Sequence, residues 1–146
     1  SRRSLAVAST SIMCIALVTQ MEAVSFARKA TLGSEEFAKK DKVKMFKEEI
    51  KKAFPDHKGD PLANGYPDAG MGKLADELSF ADWYKLNLAQ RAHYNALESF
   101  PMAIALVLTS GLFIPVPAAI SGVLYGIGRY MYGAGYVSKG PWGRYP

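Results

Sequence analysis

The sequence predicts an all-α integral membrane helical bundle. One domain over residues 1–146 holds three transmembrane helices and an amphipathic helix in the long loop between the first two. Three observations predict it. Three apolar segments, Leu5–Val24, Phe100–Phe113 and Val116–Val137, lie in a chain of only 146 residues. Charge is segregated: residues 28–82 carry 22 of the 31 charged side chains, 11 basic and 11 acidic. Within that polar segment, Val43, Phe46, Ile50 and Phe54 recur at near-helical spacing among lysines and glutamates.

The first membrane helix is expected over about 5–29. Its apolar run has the length of a span and one charge, Glu22, near its end. Arg2 and Arg3 precede it, so a targeting signal is the alternative reading. Cys14, the sole cysteine, lies inside this run, which leaves no disulfide framework and no thiolate metal site. Residues 30–81 form the polar insertion. Ser34 reads as an N-cap for a helix running to Phe54, where Pro55 stops it. Such a helix either lies on a bilayer or partner or caps the rest of the domain. Residues 55–72 are rich in Pro, Gly and Asp and read as loop, with His57 facing solvent and no metal ligand beside it. The second membrane helix is expected over 82–113, about 45 Å long at the standard rise. Its first turns stand in the interface and Pro101 kinks it. Ile114-Pro-Val-Pro117 turns the chain into a third helix over 116–137.

The formal charge of +5 is modest and no basic stripe is interleaved with aromatics, so nucleic-acid binding is not indicated. The lysines and arginines set a topology. Eleven basic residues run from Arg28, at the end of the first helix, through the insertion, none lies between the second and third helices, and Lys139 and Arg144 follow the third. The insertion and the chain after the third helix are thus expected on the cytoplasmic side or an organelle's equivalent.

That topology gathers unusual residues at one membrane face. Arg28 and Lys29 end the first helix. Arg91, Asn95 and Glu98, four and three residues apart, share one stripe at the start of the second. Arg129, Tyr132 and Tyr136 lie near the end of the third, and Arg144 follows. An ionisable group deep in a bilayer costs roughly 3 kcal/mol unless paired or hydrated. Pairing of Arg91 with Glu98 and an inward Arg129 would meet that demand. A purely structural role, tying helices together, also accounts for Arg91, Asn95, Glu98 and Arg129. Tyr132 and Tyr136 fit an interfacial belt, and Gly122 and Gly126 fit helix packing. The functional alternative is a site for a small polar anion with an apolar partner. Arginines grip carboxylates, Asn and Glu hold amide and ammonium groups, and an arginine beside a thiol favours the thiolate.

Arg91-Ala-His93-Tyr-Asn95-Ala-Leu-Glu98, followed by Phe100-Pro101, resembles the MAPEG family, the membrane-associated proteins in eicosanoid and glutathione metabolism. Gln90-Arg91-Ala92-His93 is most similar to the microsomal glutathione transferase and peroxidase branch. Gly128-Arg129-Tyr130-Met131-Tyr132, with Gly135-Tyr136, resembles the family's second signature, and Ala27-Arg28-Lys29 the basic end of its first helix. The resemblance implies that Arg28, Arg91, Asn95 and Glu98 hold glutathione, with His93 touching it as well. Tyr132 and Tyr136 would contact it near the thiol, Arg144 would stabilise the thiolate, and Arg129 would be mainly structural. It implies glutathione as co-substrate, no metal, a lipophilic small-molecule electrophile or lipid hydroperoxide arriving through membrane lipid, and a homotrimer with sites between subunits. Ser99 replaces an aromatic found in some relatives. The family has four membrane helices, so either a further span is expected beyond Pro146 or the fourth helix is absent. With the enlarged insertion, its absence favours an alternative: a noncatalytic structural subunit of a larger organellar complex, bound to unrelated membrane subunits. The endoplasmic reticulum, mitochondrion and plastid membranes all fit.

Overall fold

The computed structural model describes residues 2–145, apart from the side chain of Arg3. Among them there is no strand. Five helices follow in order: α1 Arg2–Ala30, α2 Glu35–Ala38, α3 Asp41–Ala53, α4 Phe80–Phe113 and α5 Pro115–Lys139. Short 3-10 turns occupy Ala63–Gly65, Ala75–Glu77 and Pro141–Arg144. The chain divides into two compact units, Ser1–Ala23 with Arg91–Pro146, and Val24–Gln90.

The first unit inverts the burial pattern of a water-soluble bundle. On α1 the buried positions are Ala6, Ser9, Met13, Ala16 and Gln20, three and four residues apart, and most are small or polar. Leu5, Val7, Ile12, Ile15 and Val18 face outward. On α5, Ala118, Gly122, Gly126 and Gly133 are buried while Ile120, Leu124 and Ile127 are exposed. Large apolar side chains outside and small ones between helices suit a lipid solvent, which rewards close helix approach rather than apolar burial. The Gly122–Gly126 pair serves this packing, as its spacing suggests. A Cβ at Gly126 would lie 2.9 Å from Ile12 Cγ2 and 3.1 Å from the Ile12 carbonyl oxygen. Among the described residues, two helices can cross a membrane by length and composition, Ser4–Ala30 and Phe80–Phe113. The third expected span, α5, does not meet the same measure of apolarity; its glycines, tyrosines and Arg129 dilute it.

α4 starts at Phe80, two residues ahead of the expected position, because Ser79 caps it. The Ser79 hydroxyl accepts from the Asp82 N–H at 3.1 Å and donates to the Asp82 carboxylate at 2.7 Å. The helix continues unbroken through Pro101. Pro115 opens α5 at a position where a missing N–H costs no hydrogen bond.

The second unit has its own core of Leu32, Phe37, Val43, Leu62, Leu74 and Leu86, with Phe46 and Ile50 packed against it. The expected single helix over 34–54 is two. Ser34 caps α2, accepting the Phe37 N–H at 3.2 Å, and the backbone turns extended at Lys40, whose ammonium reaches the Glu77 carbonyl. The apolar face of α3 covers the unit's own core at Val43, Phe46 and Ile50, while Phe54 stays exposed.

Candidate functional site

In the first unit, two one-turn steps of polar residues meet. α4 supplies Asn95 and Ser99; α5 supplies Tyr125 and Arg129. The Arg129 guanidinium donates Nη1–H to Asn95 Oδ1 at 2.8 Å and Nη2–H to the Asn95 carbonyl at 3.1 Å. It also donates Nη2–H to Ser99 Oγ, and Nε–H to the Tyr125 hydroxyl at 3.3 Å. Ser99 Oγ and Tyr125 OH share a further hydrogen bond of 2.8 Å. The guanidinium carbon lies 5.5 and 5.4 Å from the ring centroids of Tyr125 and Tyr132, and Tyr132 stacks on Tyr136 at 5.7 Å. From α1, Gln20 donates to the Arg129 carbonyl at 3.0 Å.

Every acceptor around Arg129 is neutral. Among the described residues all ion pairs involve lysine, and none involves an arginine. Residues 1–23 and 91–146 carry six basic side chains against two acidic ones, Glu22 and Glu98. The cation is therefore held by dipoles and ring faces, with no carboxylate among its partners.

The expected site residues divide into four sets. Asn95, Tyr132 and Tyr136 are joined through Arg129. Arg91, Glu98 and Arg144 are exposed outside that network. The expected Arg91–Glu98 pair is not formed, and neither residue makes a hydrogen bond or ion pair with another described residue. The two stand two helical turns apart, and both side chains are exposed. The Arg144 guanidinium lies 4.9 Å from the Tyr145 ring centroid. His93 is half-buried, with its Nδ1 buried and unpartnered among the described residues.

Arg28 belongs to the second unit and is buried there at 6% exposure. Its guanidinium sits 4.2 Å from the Tyr66 ring centroid and donates to the Asp68 carbonyl. Asp68 is the hub of this unit and is only 8% exposed. Its Oδ1 accepts the backbone N–H groups of Gly70, Met71 and Gly72 at 2.7, 3.1 and 2.9 Å. Its Oδ2 accepts those of Leu74 and Ala75 at 2.9 and 3.0 Å. Burial opposes ionisation of Asp68, but the N–H groups of Ala75, Gly72, Gly70 and Leu74 outweigh it and hold the carboxyl below its ordinary range. Gly70, at φ 92, packs against Leu86, with a would-be Cβ 3.1 Å from Leu86 Cδ2.

Sequence reasoning missed Asp68, Tyr125 and Gln20, and it noted Ser99 only as a missing aromatic. Two of these left a trace. Tyr125 stands one turn before Arg129 as Asn95 stands one turn before Ser99, and Gln20 is a polar residue in an apolar helix.

An all-α chain with small buried residues, outward apolar side chains and a partly buried polar network is a helical membrane protein. Residues 4–146 match the MAPEG family model, and the chain belongs to that family, which includes glutathione transferases and peroxidases alongside other members. No solved structure matches the chain.

Proposed function

We propose that the protein is a glutathione-dependent membrane transferase or peroxidase of the microsomal branch. The observation that carries this reading is arginine charge without carboxylate partners: Arg91, Arg129 and Arg144 form no ion pair among the described residues. Glutathione brings two carboxylates and a thiolate to such a surface, and Glu98 receives its ammonium group. In this reading α1, α4 and α5 all span an endoplasmic-reticulum or organellar membrane, and a homotrimer completes the site. Arg91, His93, Asn95 and Glu98 bind the tripeptide, Tyr132 and Tyr136 flank the thiol, and Arg144 stabilises the thiolate. The sulfur attacks an electrophilic carbon delivered through the lipid, forming a C–S bond as the leaving group departs with its electron pair. On a lipid hydroperoxide it attacks the terminal oxygen. The O–O bond breaks, the alkoxide takes a proton, and a second glutathione converts the sulfenic acid to disulfide and water.

The test is equilibrium glutathione binding to the protein in nanodiscs, read together with ultraviolet thiolate absorbance. Arg144→Ala is expected to keep binding within a few fold and to lose the thiolate signal. A folded wild type that does not bind glutathione sinks the reading.

A second reading is a structural subunit of a larger membrane complex. It is favoured by the internal engagement of Arg28 and Asn95 and by the separate core of Val24–Gln90. It expects copurification with unrelated membrane proteins at fixed stoichiometry; recovery only as a free homotrimer counts against it.

A further inference from the structure

We infer that Gly135, Gly140 and Gly143 clasp the turn Pro141–Arg144 onto the end of α5 and thereby position Arg144 beside Tyr136. The inference rests on the reading of Arg144 as the thiolate-stabilising residue and names the positioning residues behind it. Gly140 follows α5 with φ 75 and ψ −164, a region essentially restricted to glycine. Pro141 opens the turn with its φ preset, and the Gly143 N–H closes it on the Gly140 carbonyl at 2.9 Å.

The turn then lies back on α5 through a backbone-to-backbone contact. A Cβ on Gly135 would stand 3.0 Å from the Gly143 carbonyl carbon and closer still to its oxygen. A Cβ on Gly143 would stand 2.7 Å from the Gly135 carbonyl carbon, again with the oxygen closer. The obstacle in each case is main chain, which cannot swing aside as the end of a flexible side chain can. Tyr136 and Arg144 are the next residues after the two glycines. One Cα step on each side keeps their Cα atoms within about 13 Å, inside the joint reach of the two side chains.

Arg144 is exposed and paired with no carboxylate among the described residues. Its charge is free for a ligand, but it stands outside the long helices. Without the clasp, the conformational freedom of the chain after α5 would spread that charge over many positions. The clasp raises its effective concentration at the Tyr132–Tyr136 stack.

Gly128 supplies a matched control, since it lies on the same helix with nothing within 4 Å of a would-be Cβ. Gly135→Ala, Gly143→Ala and Gly128→Ala are compared in the full chain in nanodiscs. Amide exchange over residues 141–145 reports docking without any ligand. The pH profile of thiolate absorbance with bound glutathione reports the charge at the sulfur. Gly135→Ala and Gly143→Ala are expected to speed exchange over 141–145 at least tenfold. They should also raise the bound thiol's apparent pKa by about one unit, a tenfold loss of thiolate below it, with glutathione affinity within about threefold. Gly128→Ala should change neither. Gly143→Ala lies outside α5, so it keeps the test decisive where Gly135→Ala fails to fold. Unchanged exchange overturns the clasp. Faster exchange with an unchanged thiol profile overturns its role in positioning Arg144. A wild type that binds no glutathione overturns the site reading and the thiolate role together, while the exchange comparison still decides the clasp.

Discussion

Replacing Asp68 by asparagine should loosen the Val24–Gln90 unit more than any other single polar change there. The carboxylate accepts five backbone N–H groups, three on one oxygen and two on the other. Asparagine offers one oxygen. Its NH2 must then face either the Leu74 and Ala75 donors or the Gly70, Met71 and Gly72 donors. At least two buried donors lose their acceptor and meet another donor instead. Hydrogen bonds to a charged group contribute about 1.5–3 kcal/mol each, so the loss of two is roughly 3–6 kcal/mol. That is a large fraction of the 5–15 kcal/mol typical of a whole domain. Amide exchange over residues 68–75 in nanodiscs measures it, and increases of a hundredfold or more are expected. The wild type should show a matching acid sensitivity. The folded pKa of Asp68 is depressed, so its stabilisation is full above the unfolded value of about 3.9. It is lost as pH falls through the folded value below that. Asp68→Asn should remove this acid-sensitive component. Exchange over 68–75 within about twofold of wild type would refute the account.

Other perturbations separate neighbouring effects. Ser99→Ala removes one acceptor of Arg129 and one partner of Tyr125, and should cost about 1 kcal/mol in a detergent or denaturant titration, since polar contacts between membrane helices are individually modest. Gly126→Ala forces a methyl against the Ile12 backbone and should destabilise by about 1–3 kcal/mol. Gly128→Ala should be neutral or stabilising by up to about 1 kcal/mol from helix propensity alone. Gln20→Leu removes the donor to the Arg129 carbonyl but also a buried Oε1 that has no partner among the described residues, so thermal stability should change by less than about 1 kcal/mol.

Much of the fold was legible because helices in lipid write local patterns. An apolar run of span length marks α1 and a shorter one marks α4, and Gly122 with Gly126 announced a close seam. The family motifs, which rest on fixed spacings within single helices, were legible too. The connections were harder. Arg129 was expected to be mainly structural, and its hydrogen bonds to Asn95, Ser99 and Tyr125 fit that role. Ser99, however, drew attention only as a missing aromatic. Arg91 and Glu98 share a stripe, yet a shared stripe does not make a pair when both side chains face outward. The Lys40 break between α2 and α3 interrupts an amphipathic pattern that reads continuously across it.

The sequence by itself determined the helices, the segregation of charge into one polar insertion and the membrane family, because each depends on residues within a few turns of one another. Only the tertiary structure decided that Asp68 organises the insertion, that Arg28 is held by a carbonyl 40 residues away, and that Gly135 meets Gly143. Each of those contacts has a backbone group as a partner, and no hydrophobic period or side-chain identity records which one. A folded chain must still satisfy buried N–H and C=O groups, and their partners become visible only once the loops have closed.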